Sequence, residues 1–547
     1  MHADLVFTGG PVHLGNAPRS RATAVAVTGD RIVAVGHDDV SELVGPGTEV
    51  VDLAGRLLVP GFQDAHAHPV AGGMELGACD LSGVVGLEDY RDRIAAYAAA
   101  NPQAQWITGG GWSMESFPGG TPDRAFLDAL VPDRPVFLPN RDHHGAWVNT
   151  RALEIAGIDA RTPDPVDGRI ERDADGVPTG MLQEGAMHLV AAHVPVATEA
   201  DLLDGLVRAQ TLLHSLGITA WQDAAVSGQG PLGDVAGAYR AALAQDVLTA
   251  RVVGALWWER DQGLEQVDRL VATREELTSG LMAAATVKIM QDGVAENHTA
   301  AMLSPYLRRG CVCSSEGPHA GLSFIDPSAL RDYVTALDGL GFQVHFHALG
   351  DRAVREALDA VGAARATNGF NDNRHHLAHL QVVHPDDVPR FRALGATATM
   401  QPLWAAHEPQ MDDLTIPFLG PERSSWQYPF GDLLRSGAVL AGGSDWPVSS
   451  ADPIQGIHVA VNRVAPEGDA EPFYPEQRLD LAGALAAYTS GSAYVNHLDD
   501  TGTIAVGNLA DLVVLDRDLF DGPAEEICRA RVEHTFVGGR RVYAAPA

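Results

Sequence analysis

The sequence predicts an α/β protein: a (β/α)8 barrel, with a small β-sandwich built from both termini and an α/β insertion after the first barrel strand. Three observations predict it. A helix–glycine–strand punctuation recurs through the middle of the chain, hairpin-like apolar runs stand at both ends, and the gap between the first two barrel strands far exceeds a crossover.

The punctuation is regular. Leu216-Gly217 precedes Ile218 to Trp221, Leu340-Gly341 precedes Phe342 to Phe346, Leu394-Gly395 precedes Ala396 to Met400, and Ser436-Gly437 precedes Ala438 to Leu440. Glycine just past a helix takes the left-handed conformation cheaply, so each unit reads as helix, cap and buried strand. Asp326 to Asp338 shows the helical period, with Leu330, Tyr333, Val334 and Leu337 on one face. Repeated units of this kind imply parallel strands joined by right-handed crossovers. Eight runs qualify as strands: Leu57 to His68, Gly217 to Ala225, Arg251 to Leu256, Thr286 to Asp292, Gln343 to Leu349, Arg374 to Gln381, Ala396 to Gln401 and Ala438 to Asp445. Eight suits a closed barrel.

At the N-terminus, Ala3 to Thr8, Thr23 to Thr28 and Arg31 to Gly36 read as short strands, with Gly29-Asp30 as a tight turn. Asp511 to Asp516 and Arg531 to Val537 repeat the style, and Gly538-Gly539 turns into Arg540 to Tyr543. Neither end closes a sandwich alone, so residues 1–58 and 501–547 are expected to combine around a barrel spanning 59–500. Within it, 79–209 holds its own helix (Leu87 to Ala100) and strand (Val136 to Leu138), and reads as an inserted α/β subdomain near the mouth.

Composition narrows the function. The 71 acidic residues against 38 basic ones leave a net charge of -33, which argues against nucleic acid or an anionic membrane as partner. No apolar run approaches the ~20 residues of a membrane span. The N-terminus lacks the pattern of a signal peptide, so a cytoplasmic location is expected. Cys79, Cys311, Cys313 and Cys528 have no zinc-finger spacing and read as free thiols.

The chemistry concentrates at strand ends. In Asp64-Ala65-His66-Ala67-His68 two histidines at i and i+2 point to one face, at the rim where barrel enzymes hold their sites. Neutral imidazoles there would begin a divalent metal site, although a chance surface pair has the same spacing. His345-Phe346-His347 and His379 also end strands. Asp445, past the last strand, could ligate metal and hold a water proton, or serve as a turn aspartate. Lys288 lies inside an apolar strand, where burial depresses an ammonium's pKa. It could capture carbon dioxide as a carbamate, or pair with Asp292 or Asp223.

The residues His66, His68, Lys288, His347, His379 and Asp445, with the stretches Val59 to His68, Val344 to Ala353, His379 to Pro385, Gly443 to Val448 and Gly502 to Leu515, resemble the amidohydrolase superfamily. The likeness covers about residues 3 to 543, TIM barrel included, and is strongest to the N-substituted formamide deformylase branch. His143 to Leu153 in the insertion shares it. The resemblance implies two divalent metal ions, zinc in the family's usual form. His66, His68 and Asp445 would hold one, His347 and His379 the other, and a carboxylated Lys288 would bridge them. It also implies hydrolysis of an amide-type C–N bond of a small molecule, with Asp445 as the catalytic proton carrier. Ester, carbamate, lactone or cyclic-amide hydrolysis, deamination on the same site, and a barrel without catalysis are the alternatives. Trp112, His144, Glu184, Trp221, Asp292 and His298 are the expected substrate-binding residues. A homodimer is left open.

Overall fold

The computed structural model describes residues 2–15, 21–84, 86–227, 233–307, 319–466 and 468–546. Its centre is a ring of eight parallel strands adjacent in chain order: β1 (Phe62–Ala67), β2 (Ile218–Asp223), β3 (Arg251–Trp257), β4 (Met282–Met290), β5 (Gln343–Ala348), β6 (His376–His379), β7 (Thr397–Met400) and β8 (Leu440–Gly442). Each falls within or overlaps one expected run. The four punctuating glycines all take positive φ, from 65° at Gly395 to 84° at Gly437. The helix Pro327–Gly339 buries Leu330, Val334 and Leu337, capped by the Asp326 carboxylate.

The ring closes between β1 and β8. Past the last strand, the Asp445 N–H donates to the His66 carbonyl at 2.7 Å, and the His68 N–H to the Trp446 carbonyl at 2.8 Å. Asp64 reinforces the join. Its carboxylate accepts the His66 N–H at 2.9 Å, the Ser444 N–H at 3.0 Å and the Ser444 hydroxyl at 2.5 Å.

One expected strand proves to be two. Leu57–Pro60 runs antiparallel to Leu512–Leu515 in a terminal sheet, and only Phe62–Ala67 enters the barrel. Pro60 has no N–H to extend a ladder. At Gly61 a Cβ would lie 2.4 Å from the Thr219 hydroxyl, so only glycine lets the chain cross there.

The terminal segments form two sheets. One holds Leu5–Thr8, Ala24–Thr28, Arg31–Gly36 and Glu49–Asp52. The other joins Leu57–Pro60 and the short N-terminal strands to Leu512–Leu515, Val532–Val537 and Arg540–Ala544. Phe7, Val25, Leu58, Leu512 and Phe536 bury their side chains together between them. The insertion is a six-stranded mixed sheet running from Cys79 to Glu184, with an apolar cluster around Tyr90, Leu127 and Trp147 and another around Phe137, Leu153 and Val190. The next helix, Glu199–Ser215, starts with a Thr198–Asp201 capping box and buries Leu202, Leu206 and Leu213 against the barrel. The barrel's own first helix therefore takes in the end of the stretch 79–209.

Among the described residues no helix is long and apolar enough to cross a membrane. Cys79 and Cys528 are buried free thiols, and Cys311 and Cys313 lie outside the described residues.

The terminal sheets attach at the N-terminal ends of the barrel strands, opposite the rim that carries the histidines. Arg251, the first residue of β3, meets the buried Asp511 through two bonds of 2.7 and 3.1 Å, and Asp511 also accepts the Gly538 N–H at 2.7 Å. Removing one partner strands the other charge in a poorly hydrated site. Asp511→Ala is expected to lower unfolding stability by about 3 kcal/mol, read as a reduced denaturant midpoint. An unchanged midpoint would show that the join contributes nothing.

Candidate metal centre

The period of a strand sends residues i and i+2 to one face, so His66 on β1 and His345 and His347 on β5 project into the barrel. Lys288 on β4 and His379 at the end of β6 join them, and Asp445 arrives three residues beyond β8. His66, His379 and Asp445 each offer a ligand atom within 4.8 Å of the others. Asp445 Oδ1 lies 3.1 Å from His66 Nε2 and 3.2 Å from His68 Nε2, and Oδ2 lies 3.8 Å from His379 Nδ1. The His347 ring stands 4.4 Å from that of His379, centre to centre. Lys288 Nζ is 3.5 Å from His66 Nε2. Of the six residues expected to gather, His66, His379 and Asp445 form one cluster, with His68 against Asp445, His347 against His379 and Lys288 against His66. His379 and Asp445 take positive φ, 79° and 57°, strain that the surrounding structure must hold in place.

The donor set fits a metal. Both ring nitrogens of His379 and Nδ1 of His347 are buried without a hydrogen-bond partner, whereas buried polar atoms ordinarily find one. Burial holds the His66 ring down to about 3 and the His347 and His379 rings well below the ordinary histidine range, so all three are neutral and carry a lone pair. Burial opposes the charge of Asp445, but His66 and His68 outweigh it and keep the carboxylate ionised. Burial brings the Lys288 amine down to about 7. Lys288 pairs with neither carboxylate considered from the sequence. Asp292 accepts the backbone N–H groups of Leu349, Gly350 and Ala301, and Asp223 takes the Tyr239 hydroxyl.

The six residues expected to bind substrate separate. His144 and Glu184, both from the insertion, form an ion pair at 2.9 Å, and the His144 ring lies 5.2 Å from that of His347. Asp292 sits 3.3 Å from His347 Nδ1 on β5 and accepts the Leu349 and Gly350 N–H groups, tying the end of β4 to β5 and the loop after it. His298 packs between Tyr306 and Phe418, with its pKa lowered to about 4 by burial. The two tryptophans are a correction. Trp112 donates to the Leu138 carbonyl inside the insertion's apolar core, and Trp221 donates to Tyr239 in the core shared by the barrel and its helices. Neither lines the cavity described below. Tryptophan is the side chain with most apolar area to bury, and here burial wins.

Other residues of the site were less visible from the sequence. His345 accepts or donates a 2.7 Å bond between its Nε2 and His66 Nδ1. Its signal was the i, i+2 spacing with His347. Gln401, just past β7, accepts the His379 N–H at 2.8 Å. A cavity of about 460 Å3 opens beside the centre, lined by Arg141, Glu296, Gln381, Trp404, Glu408 and Trp446 among others. Trp404 stacks on His379 at 5.3 Å. No local pattern marks these residues, because they come from separate loops.

The sequence model of the amidohydrolase family matches residues 49–543. The chain is 31% identical to the protein LONG AFTER FAR-RED 3 of Arabidopsis thaliana, over 99% of this chain and 92% of that protein. It is 29% identical to the N-substituted formamide deformylase of Arthrobacter pascens, over 98% and 97% of the two chains. Among solved structures, an uncharacterized metal-dependent hydrolase from Pyrococcus horikoshii OT3 superposes with a TM-score of 0.74 at 26% identity, covering 95% of this chain and 99% of the other.

The His144–Glu184 pair yields a measurable pKa. Burial opposes the charge on His144, but the Glu184 carboxylate outweighs it, by charge and hydrogen bond, and raises the ring to about 9. Glu184 is lowered in turn by His144 against its own burial. Since the folded pKa of His144 lies above the ordinary 6.5, its contribution to stability is fully present below about pH 6.5 and is lost as pH rises through about 9. Glu184 limits that contribution at the acid end. An NMR titration of the His144 ring is expected to show half-protonation near pH 9, and Glu184→Gln should bring it to 6.5 or below. A wild-type midpoint near 6.5 would contradict the pairing.

Proposed function

Because this chain belongs to the amidohydrolase family, we propose that it hydrolyses a C–N bond of a small amide, with an N-substituted formamide as the leading substrate class, at a pair of divalent metal ions. The observation that carries this reading is the set of buried, unpartnered ring nitrogens on His347 and His379 beside the Asp445 carboxylate at the barrel rim. Full-length similarity to a formamide deformylase supports the substrate class. Likeness to a metal-dependent hydrolase supports the metal.

In this reading His66, His68 and Asp445 would hold one ion, with zinc as the leading candidate, and His347 and His379 would hold the other. Lys288 Nζ lies 3.5 Å from His66 Nε2. Its amine, brought down to about 7 by burial, could add carbon dioxide with loss of a proton, and the carbamate would offer an anionic ligand to the ions. Bound there, divalent cations supply Lewis acidity, which lowers the pKa of water and polarises a carbonyl. Asp445, held ionised, takes the proton of the attacking water and delivers it to the departing nitrogen. His144, held cationic by Glu184, donates a hydrogen bond to the carbonyl oxygen as negative charge develops on it. His345 fixes the ring of His66 so that Nε2 keeps its lone pair for the ion.

Purified with zinc, the protein should carry close to two ions per chain by elemental analysis and release formate and amine from N-alkyl or N-aryl formamides. Less than about one ion per chain would sink the metal pair. Release of acid or ammonia only from esters, carbamates, cyclic amides or amino-heterocycles would replace the substrate class and keep the centre. Asp445→Asn should reduce kcat by on the order of 10^2 to 10^4, and near-normal turnover would remove it from the mechanism. His345→Phe should weaken metal retention about 10-fold or more in a chelator competition. Unchanged retention would end its positioning role.

A further inference from the structure

The cavity beside the centre has an uneven charge. Glu75, Asp80, Asp142, Glu296 and Glu408 line it, against the single guanidinium of Arg141. Arg141 is committed: it faces Glu408 at 3.5 Å and donates to the Gln410 side-chain oxygen at 3.0 Å. Glu75 is 3.2 Å from His143. Glu296 forms no ion pair among the described residues, although the Arg141 guanidinium is near enough to be raised by its charge. Its carboxylate accepts the Thr415 hydroxyl at 2.7 Å and the Gln381 amide N–H at 3.2 Å, both neutral donors. Burial, with the nearby Asp142 carboxylate, holds Glu296 above the ordinary carboxylate range.

Gln381 is the independent sign of a ligand. It is 1% exposed, it lines the cavity, and its side-chain oxygen has no hydrogen-bond partner among the described residues. A buried amide oxygen left unpaired costs about 1–3 kcal/mol, unless something that enters the cavity donates to it. The donor would meet a carboxylate in a cavity also lined by aromatic rings, those of Trp404, Tyr428 and Trp446. Acceptors, negative charge and aromatic faces together favour a cation.

The position ties this pocket to the reaction. Gln381 follows His379 by two residues, Trp404 stacks on the His379 ring, and Trp446 follows Asp445. The cavity that holds Glu296 therefore adjoins the metal centre.

We propose that Glu296 and Gln381 form a specificity subsite for a positively charged nitrogen group of the substrate, an ammonium or guanidinium, seated against Trp404. In assigning the cation to a substrate, the proposal rests on the hydrolase reading above. The cation itself is tested by binding alone.

The test uses the full-length, zinc-loaded protein and isothermal titration calorimetry at neutral pH. The probes are benzylguanidine, which is cationic and a poor metal ligand, and benzylurea, its neutral isostere. The cation should bind about 10-fold or more tightly than the urea, a gap of about 1.4 kcal/mol. Glu296→Gln keeps the shape and the Thr415 and Gln381 contacts. It should remove most of that preference while leaving benzylurea affinity, metal content and the circular dichroism spectrum unchanged. Gln381→Leu should weaken the cation in the same direction. Equal affinities for the two probes, or a preference that survives Glu296→Gln, would overturn the subsite. If the preference holds but no amide is cleaved, the cation site stands and the hydrolase reading fails. If amides are cleaved but the two probes bind equally, the hydrolase reading stands and the cation site fails.

Discussion

The hydrogen bond from the Asp445 N–H to the His66 carbonyl joins the last strand of the barrel to the first, and the site exists only because that ring is closed. The donor groups come from β1, β4, β5 and β6 and from the turn after β8. An open sheet would leave the two ends at opposite edges. Asp64 holds the join with three hydrogen bonds from its side chain. Gly443 permits it, since a Cβ there would fall 2.9 Å from that of His66. The DAHAH stretch thus supplies both histidines of the rim and the carboxylate that locks them to Asp445.

Below the rim the barrel is polar but largely self-satisfied. Gln222 donates to Gln343 at 3.1 Å, His376 bonds Gln222 at 2.9 Å and Thr399 at 2.8 Å, and the Thr286 hydroxyl donates to Gln343 at 2.7 Å. Such a network fixes the inward side chains because any displacement leaves a buried group unpaired. His345 connects it upward, packed against His376 and bonded to His66. One layer higher, His347 and His379 keep ring nitrogens with no partner. The contrast between a satisfied floor and an unsatisfied rim is the physical mark of a place prepared for something else.

The added layers divide the remaining work. The terminal sheets grip the barrel at the N-terminal ends of its strands, through contacts such as Arg251 with Asp511, and contribute no donor to the centre. The insertion reaches the opposite end, where it places His144 and Glu184 beside His347 and Arg141 in the cavity wall. Glu184 sits at a φ of 50°, a conformation that strains a non-glycine residue. The cost is borne where the carboxylate meets His144.

While the full set of six rim residues is what the family resemblance implies, the sequence by itself determined the eight-strand order, the left-handed helix caps and the histidines at strand ends. These are local matters: a two-residue period, a glycine after a helix and an imidazole at a strand end each leave a readable pattern within a few residues. The change of sheet at Gly61 was hidden because both strands are equally apolar. The buried fate of Trp112 and Trp221 was hidden because a tryptophan serves a core and a pocket equally well. Only the tertiary structure decided that His345 supports His66, that His144 is held cationic by Glu184, and that Glu296 and Gln381 share one wall. Each depends on side chains from separate elements meeting at hydrogen-bond distance, and that distance is set by how the whole barrel packs.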